Sequence, residues 1–350
     1  MLTEKDNIYM RRCFELARKG LGMTRTNPLV GSVIVHNEKI IGEGFHHEFG
    51  GPHAEVNAIR SVKDRTLLPQ STLYCSLEPC AHHGKTPPCS MMIKQNGIGR
   101  VVISNSDPFP SVNGEGIRIM KDSGIEVETR CLAEEGYHLN RRFFRYLTSK
   151  RPYVVLKWAQ TTDGFIDLER EPGESEGPRW ITDKVNRTLV HKWRSEEAAI
   201  MVGTNTVITD NPSLNVRRWT GENPIRITMD RSGRLPDGAH ILDGKQDTMI
   251  FTGVPGKYSG KTRSIHIDPS YELGDVLEEL HDQKVISLFV EGGARLLTSF
   301  IEAGLWDEAR VFTGKMAFSQ GVGAPNLAIA PEETLYFSDT KLEIFKNQMS

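Results

Sequence analysis

The sequence predicts an α/β fold divided into two domains, residues 1–148 and 149–350. The chain is 350 residues long, which exceeds the roughly 100 to 200 residues of a typical single domain. Both halves alternate segments of helical and strand character, as expected for helices packed on a mainly buried sheet. The basic stretch "NRRFFRYLTSKRP" at 140–152 separates the two series, which places the boundary near Ser149.

The first half begins with a helix that has its own start signal. Thr3 with Asp6 can cap a helix that reaches Gly20, because the two side chains satisfy free backbone N–H groups at its start. The other predicted elements of this half are a strand at 30–35, a helix at 53–62, a strand at 71–77, a helix from about Pro88 to Gln95, and a strand at 100–104.

The second half begins with the strand "YVVLKWA". Its other predicted elements are a helix at 182–195, strands at 198–203, 225–229 and 248–252, a helix at 270–282, a strand at 286–291, a helix at 294–303, and a last strand near 308–313. The segment "EREPGESEGPRW" at 169–180 contains glycine and proline, and we interpret it as a loop inside this domain.

Composition and charge argue against several classes of protein. With 38% hydrophobic and 25% charged residues, the chain has the makeup of an ordinary soluble globular protein. A net charge of −2 gives no electrostatic reason to expect nucleic acid as a partner. The N-terminus is charged where a secretory signal needs an apolar stretch, and no run of about 18 apolar residues predicts a membrane span. We therefore expect a cytoplasmic protein.

In the reducing cytoplasm, the number of cysteines indicates what roles they can have. Five cysteines, an odd number, argue against a disulfide framework and leave metal binding, catalysis or core packing. Cys13, Cys75 and Cys131 are interpreted as small buried hydrophobes. Cys80 and Cys89 differ, because they share the stretch "SLEPCAHHGKTPPC" at 76–89 with two histidines.

A metal site is predicted from that stretch together with "PHAEVNAI", where His53 precedes Glu55 at a helix start. Catalytic zinc sites use three protein ligands and keep a fourth position open for water, and His53, Cys80 and Cys89 supply such a set. Zinc lowers the pKa of its bound water from about 15.7 towards 7, which makes hydroxide available for hydrolysis. Glu55 lies beside a ligand and is not needed as one, so it is the expected catalytic proton carrier.

The same residues match a known signature with one departure. H-x-E followed by P-C-x-x-C is typical of zinc-dependent nucleobase deaminases. Here eight residues, not two, separate Cys80 from Cys89, so "AHHGKTPP" must bulge out and return Cys89 to the metal. A structural zinc site in a non-enzymatic protein is an alternative. Such a site normally closes with a fourth Cys or His, so the open position favours catalysis.

Longer segments carry a family resemblance. In the first half, "TNPLVGSVIV", "GFHHEFGGPHAEVNAI" and "SLEPCAHHGKTPPC" resemble the deaminase half of the bifunctional riboflavin-biosynthesis deaminase/reductase family, in which the long cysteine spacing is a hallmark. The resemblance extends through the second half at "KWAQTTDG", "RWIT", "VGTNTVITDNPSLNVR" and "FVEGGARLLTSFI". It therefore covers nearly the whole chain.

The resemblance implies a fold and two reactions. The fold is a cytidine-deaminase-like three-layer domain followed by a dihydrofolate-reductase-like α/β domain. The first implied reaction is zinc-dependent deamination of 2,5-diamino-6-(5-phosphoribosylamino)pyrimidin-4(3H)-one to 5-amino-6-(5-phosphoribosylamino)uracil, and the second is reduction of its ribose to ribityl by NADPH. The implied ligands are one zinc ion, NADPH and a phosphorylated pyrimidine, with self-association expected. A monofunctional zinc deaminase with a non-catalytic second domain is the alternative.

The resemblance also implies substrate contacts in the deaminase half. Asn27 matches a residue that hydrogen-bonds the pyrimidine, although a turn residue beside Pro28 is an equal interpretation. His46 and the His82–His83 pair are candidates for lining the pocket. Lys85 is suitably placed for a substrate phosphate, or it is an ordinary solvated lysine.

The second half contains no G-x-G-x-x-G turn after its first strand, which argues against the ordinary Rossmann phosphate turn. Instead, "SLFVEGGARLLTSF" has a strand, a Gly292–Gly293 turn and a helix start, where backbone N–H groups can meet a pyrophosphate. Arg231 is a candidate for the 2′-phosphate of NADPH, or a solvated turn arginine. The resemblance implies cofactor contacts at Ala159, Trp180, Thr206, Asp210, Gly293, Ala294, Arg295, Leu296, Leu297, Thr298 and Ser299, and Arg231 completes the predicted set.

Substrate contacts are implied for the reductase half as well. They are Lys157, Ser175, Arg194, Leu214, Arg217 and Glu291. The arginines suit a phosphate by their fork geometry. "GESEGPRWIT" has two more residues than the family's usual "GESxWIT", which leaves the role of Ser175 open. Proton delivery during hydride transfer is open among Lys157, Glu291 and water.

Overall fold

The computed structural model describes residues 1–81, 87–109, 113–169, 180–258, 260–268 and 270–347. The chain divides into two units, Met1–Lys150 and Arg151–Ser350. This division lies two residues beyond the boundary placed before Ser149. Within the described ranges, no helix combines the length and the apolar character needed to cross a membrane.

The first unit contains a five-stranded sheet with helices on both faces. Its helices are α1 (Glu4–Arg18), α2 (Ala54–Ser61), α3 (Cys89–Gln95), α4 (Glu115–Asp122), α5 (Ala133–Leu139) and α6 (Arg141–Ser149). Its strands are β1 (Gly31–His36), β2 (Lys39–Phe45), β3 (Thr72–Leu77), β4 (Arg100–Asn105) and β5 (Glu126–Glu128). A 3₁₀ helix spans Arg65–Gln70.

The sheet of the first unit has the order β2-β1-β3-β4-β5. β1 is antiparallel to β2 and β3, whereas β3, β4 and β5 are parallel. Alternate side chains enter two cores: Ile34 and Leu73 pack with α2, α3 and α4, whereas Val33 and Tyr74 pack with α1. The sheet is therefore the middle of three layers, as predicted for this half.

Two glycines of β2 allow α2 to lie directly on the sheet. A Cβ atom on Gly44 would lie 2.3 Å from the Ala58 nitrogen and 2.5 Å from the Ala54 carbonyl oxygen. A Cβ atom on Gly42 would lie 2.6 Å from the Ala58 carbonyl oxygen. Any larger residue at these positions would displace the helix that carries Glu55.

The second unit contains a nine-stranded sheet and a short two-stranded one. Its strands are β6 (Tyr153–Gln160), β7 (Phe165–Asp167), β8 (Ala199–Gly203), β9 (Ile225–Met229), β10 (Thr248–Thr252), β11 (Thr262–His266), β12 (Ser287–Val290), β13 (Glu308–Thr313), β14 (Val322–Gly323), β15 (Glu333–Phe337) and β16 (Thr340–Lys346). Its helices are α7 (Lys184–Glu196), α8 (Thr204–Asp210), α9 (Leu273–Asp282) and α10 (Ala294–Glu302), with a 3₁₀ helix at His240–Leu242.

The large sheet has the order β11-β10-β9-β8-β12-β6-β13-β16-β15. All neighbouring pairs from β11 to β13 are parallel, and β16 is antiparallel to both β13 and β15. Val154 and Leu156 of β6 pack with α9 and α10, while Tyr153 and Val155 face a second core with α7 and α8. Because β6, β8 and β12 are parallel neighbours, the residues after their carboxyl ends share one edge of the sheet.

Several elements were not predicted. The basic stretch at 140–152 was interpreted as a boundary, but Arg141–Ser149 is a helix that buries Phe143 and Phe144. The strand β2 was missed because Gly42 and Gly44 interrupt its apolar pattern. The edge strand β15 was missed because most of its residues are exposed and no buried alternation marks it.

Candidate active sites

Three potential metal ligands converge in the first unit. His53 is the N-cap residue of α2, Cys80 follows β3, and Cys89 is the first residue of α3. The Nδ1 atom of His53 lies 3.5 Å from Sγ of Cys80 and 3.4 Å from Sγ of Cys89. The three ligand atoms all lie within 4.8 Å of one another. Two thiols and an imidazole at this separation form a donor set that suits zinc.

Contacts at the start of α3 hold the two cysteines together. The Cys89 N–H donates to the Cys80 sulfur at 3.3 Å. The Ser90 N–H and hydroxyl donate to the Cys80 carbonyl oxygen at 3.2 and 3.0 Å. A hydrogen bond with Cys89 and the neighbouring His53 hold the pKa of Cys80 well below its usual value, against the effect of burial. The thiolate, which is the form that binds metal, is therefore favoured at Cys80.

Glu55 lies beside this cluster, in the first turn of α2. Only 3% of its surface is exposed. Burial raises the pKa of Glu55, because the charged carboxylate loses its hydration. A carboxylate whose pKa is raised in this way is a stronger base than an exposed one, which suits a group that accepts protons.

Asn27 and His46 form a hydrogen-bonded pair next to His53. The Asn27 Nδ2 atom lies 2.9 Å from His46 Nε2, and His46 Nδ1 lies 3.1 Å from the Pro52 carbonyl oxygen. Since a carbonyl oxygen only accepts, Nδ1 carries the proton and Nε2 accepts from Asn27. Burial lowers the pKa of His46, which keeps this ring neutral. The His46 ring stands edge-on to the His53 ring, with the centroids 5.8 Å apart.

The second unit has a cavity of about 450 Å³ at the carboxyl ends of β6, β8 and β12. Predicted cofactor contacts that line it are Ala159, Trp180, Thr206, Asp210, Gly293, Ala294 and Arg295. Predicted substrate contacts that line it are Lys157, Arg194, Arg217 and Glu291. Two separate segments of the sequence, around the "KWA" strand and the Gly-Gly turn, thus meet at one site.

Other predicted contacts do not line this cavity among the described residues. They are Leu214, Arg231, Leu296, Leu297, Thr298 and Ser299. Leu214 and Leu297 are buried in the hydrophobic cores. The Arg231 guanidinium donates to the carbonyl oxygens of Asp268 and Tyr271, so the cavity gives it no support as a phosphate ligand. The predicted contacts His82, Lys85 and Ser175 lie outside the described residues.

A buried ion-pair cluster lines part of the cavity. Arg194 donates from Nε and Nη2 to the two carboxylate oxygens of Glu291, and Lys157 Nζ lies 3.8 Å from the same carboxylate. Burial by itself would raise the pKa of Glu291, but the charges of Arg194 and Lys157 outweigh it and hold the pKa at about 2. Glu291 is therefore ionised at neutral pH.

The Gly-Gly turn presents backbone to the same cavity. Gly292 and Gly293 have φ values of 101° and 32°, a region that favours glycine. Gly293 is the N-cap of α10, and a Cβ atom there would lie 3.0 Å from the Thr206 hydroxyl oxygen. The turn thus leaves an open cradle beside the N-terminus of α10, an arrangement that suits a phosphate.

Sequence reasoning missed several polar residues of the cavity, namely Arg187, His191, Asn205, Thr209 and Arg218. Arg187 stacks over the Trp180 ring, 4.6 Å from its centroid. Helical spacing could have found two of these residues. Arg187 and His191 precede Arg194 by seven and three positions, which puts all three on one face of α7.

Comparisons with known proteins match each half of the chain to a family. Residues 3–105 match the family model of the cytidine and deoxycytidylate deaminase zinc-binding region, and residues 152–325 match the RibD C-terminal domain. The riboflavin biosynthesis protein RibD of Aquifex aeolicus is 39% identical over 98% of this chain and 96% of its own length. RibD of Escherichia coli is 33% identical over 88% of this chain and 87% of its own length.

Solved structures extend the comparison to the fold. The diaminohydroxyphosphoribosylaminopyrimidine deaminase/5-amino-6-(5-phosphoribosylamino)uracil reductase of Thermotoga maritima is 36% identical, with a TM-score of 0.88 over 98% of this chain and 99% of that one. RibD of Acinetobacter baumannii is 33% identical, with the same TM-score and coverage. The predicted family resemblance and fold class are thereby confirmed. The chain belongs to the RibD family of riboflavin biosynthesis proteins and is a bifunctional enzyme with a deaminase domain and a reductase domain.

Proposed function

We propose that the first unit deaminates 2,5-diamino-6-(5-phosphoribosylamino)pyrimidin-4(3H)-one and that the second unit reduces the ribose of the product to ribityl with NADPH. The activity named for the Thermotoga relative supports this choice of substrate. The observation that carries the proposal is the convergence of His53, Cys80 and Cys89 beside the buried carboxyl group of Glu55. A monofunctional deaminase is not favoured, because the second unit has a cationic cavity of its own.

His53, Cys80 and Cys89 would hold the zinc ion. Their one nitrogen and two sulfur donors leave a fourth tetrahedral position for water. When bound, zinc acts as a Lewis acid that lowers the pKa of water towards about 7. A closed structural site is not favoured, because no fourth His or Cys joins this cluster among the residues that were described.

Glu55 is the proposed proton carrier. Its carboxylate takes a proton from the attacking water and delivers it to the pyrimidine ring nitrogen as the new C–O bond forms. It then carries the proton of the added hydroxyl group to the exocyclic amine, so that the C–N bond breaks, ammonia leaves and a ring carbonyl remains. The raised pKa supports both transfers, because it brings the protonated and ionised forms closer in free energy near neutral pH.

Asn27 and His46 are the proposed orienting groups for the pyrimidine. The neutral His46 ring accepts the Asn27 amide N–H, which fixes the direction of that amide. Asn27 then offers a ligand its carbonyl oxygen, an acceptor for an N–H group at the pyrimidine edge. The phosphate contacts predicted for His82 and Lys85 remain proposals from the sequence.

The cavity of the second unit is the proposed site of NADPH and of the ribose phosphate. Six cationic side chains line it against three acidic ones among the described residues, which favours anionic ligands. The cationic residues are Lys157, Arg187, Arg194, Arg217, Arg218 and Arg295, and the acidic ones are Asp167, Asp210 and Glu291. NADPH, when bound, supplies a hydride, and the Gly-Gly cradle suits its pyrophosphate.

The charges in this cavity narrow the choice of proton donor for the reduction. Glu291 is ionised at neutral pH, so it has no proton to give. Lys157 faces the same site, and burial lowers its pKa, which makes its proton easier to release. We therefore assign proton delivery to Lys157 or water and give Glu291 the task of orienting the opened sugar.

One assay tests both activities. The purified protein is incubated with the diaminopyrimidine phosphate, and ammonia release and NADPH absorbance are followed separately. We expect ammonia first and NADPH oxidation after it. Absence of ammonia would contradict the deaminase proposal, and ammonia without NADPH oxidation would contradict the reductase proposal. A cytoplasmic location and self-association stay predictions from the sequence.

A further inference from the structure

Glu78 is a buried acid that none of the steps above uses. It follows β3 and comes two residues before Cys80. Only 4% of its surface is exposed, and its carboxylate accepts three backbone N–H groups from a distant segment. These donors are Asp107 at 3.3 Å, Gly114 at 3.0 Å and Ile117 at 3.2 Å.

Two of the three bonds make Glu78 the cap of α4. Gly114 is the N-cap of this helix and Ile117 is its third residue, so their N–H groups are two that a capping box normally satisfies. Glycine has no side chain to do so, and Glu78 supplies both acceptors from another part of the chain. Its negative charge also lies at the positive end of the helix dipole.

The capping of α4 by Glu78 also fixes the segment of chain that leads to Cys80. The Glu78 N–H donates to the Asn105 carbonyl oxygen at 2.9 Å, which extends the pairing of β3 with β4. On the other side, α4 lies against Pro79 so closely that a Cβ atom on Gly116 would be 2.1 Å from the Pro79 carbonyl oxygen. The segment that leads into Cys80 is thus fixed between a strand and a capped helix.

We propose that Glu78 is a positioning residue for the metal site, which sets the direction of Cys80 by joining its strand to α4. This inference rests on the proposed function of the first unit. Glu78 itself does not touch the metal ligands; it acts through Pro79 and the helix start. Groups that hydrogen-bond a metal ligand directly typically contribute about 10- to 100-fold to metal affinity or activity. Because Glu78 acts one residue further away, we expect an effect at the lower end of that range.

Glu78→Gln is the direct test, because glutamine keeps the shape of the side chain. One carboxylate oxygen of Glu78 accepts from Asp107 and Gly114, and the other accepts from Ile117. In either orientation of the glutamine amide, its NH₂ group faces a backbone N–H, and at least one of these hydrogen bonds is lost. We expect release of zinc to a colorimetric chelator to be at least about 10-fold faster. The deaminase kcat should fall by about 10-fold with KM changed less than about twofold, and reduction of the deaminated intermediate should be unchanged.

Tyr74→Phe is the matched control for stability. It removes a buried hydrogen bond to Asp6 from the same strand, on the face that packs with α1. Zinc release from this variant should match that of the wild type. If Glu78→Gln releases zinc no faster than Tyr74→Phe does, Glu78 only stabilises the fold and the inference is wrong.

Gly116→Ala tests the same contact from the helix side and leaves the carboxylate intact. Its added methyl group must push α4 away from Pro79, so zinc release should again be faster. If Glu78→Gln does not fold, Gly116→Ala provides the test. Zinc release from Gly116→Ala at the rate of the wild type would overturn the inference. Failure of the proposed function would look different, because the wild type itself would then lack zinc or release no ammonia.

Discussion

Arg194 donates to both carboxylate oxygens of Glu291, at 2.5 and 2.8 Å, and its remaining terminal nitrogen donates to the Asn215 carbonyl oxygen at 3.2 Å. Each of the three guanidinium nitrogens therefore already has an acceptor inside the protein. The sequence suggested that this fork receives a substrate phosphate. We instead expect Arg194 to act through Glu291 and leave the phosphate to the more exposed Arg217 and its neighbours.

Arg194→Met should destabilise the reductase unit and abolish reduction. It leaves the carboxylate of Glu291 buried with Lys157 at 3.8 Å as its nearest cation, and breaking such a pair costs about 3–5 kcal/mol. Thermal unfolding and both activities of the variant measure this effect. Arg217→Met is the control, for which we expect a raised KM for the phosphorylated substrate and little change in stability. Equal melting temperatures for Arg194→Met and the wild type would contradict the prediction.

Glu55→Gln should abolish deamination and leave the metal in place. The amide keeps the shape of the side chain but cannot carry the proton, and a general acid–base contributes about 10²- to 10⁴-fold to the rate. Zinc content and reduction of the deaminated intermediate should equal those of the wild type. Loss of zinc from this variant would mean that Glu55 has a structural role in the cluster.

The sequence predicted the deaminase site more completely than the reductase site. His53, Glu55 and Cys89 lie at helix starts and Cys80 follows a strand, and all four belong to short motifs that can be recognised in the sequence. The cavity of the second unit is assembled from separate strands and helices, so no single local pattern contains most of its members. Leu297 shows the difference, since it belongs to a run of candidate contacts but points into the core.

Glu78 shows a second reason for incomplete prediction. The pattern "LEPC" places an acid near a ligand, but its three partners come from residues 107 to 117. A capping box is recognisable in sequence only when both halves are local, as with Thr3 and Asp6. Long-range capping requires the tertiary fold to be known.

His191 should make the reductase unit less stable in mild acid. His191 is 4% exposed, and its Nδ1 atom accepts a hydrogen bond from the backbone N–H of Arg217. Burial and then the charges of Arg194 and Arg217 lower its pKa to about 4, below the value of about 6.5 in an unfolded chain. Between these two values the unfolded state binds more protons, so stability falls as pH falls from 6.5 to 4.

His191→Asn measures this contribution, because its side-chain oxygen can take the place of Nδ1 as an acceptor. The free energy of unfolding of the wild type should drop by about 2 kcal/mol more than that of the variant between pH 7 and pH 5. Parallel pH profiles for the two proteins would contradict the assigned environment of His191.

Asp6→Asn should destabilise the first unit strongly. Asp6 is 2% exposed and accepts from the Tyr74 hydroxyl at 2.8 Å and from two nitrogens of Arg100 at 2.8 and 3.2 Å. Burial alone would raise the pKa of Asp6, but these donors lower it below its ordinary value. The stabilisation is therefore fully present above the unfolded pKa of about 3.9 and is lost as pH falls through the lower pKa of the folded state.

At neutral pH the loss should be about 3 kcal/mol, because Asp6→Asn leaves the half-buried Arg100 without its main partner. Denaturant unfolding with zinc present measures it. Glu126→Gln is the control, since Glu126 contacts the same arginine at 3.3 Å but its side chain is 61% exposed, so its loss should cost less than about 1 kcal/mol. If the two substitutions destabilise equally, the charge of Arg100 is balanced mainly at the surface, and the prediction for the buried pair is wrong.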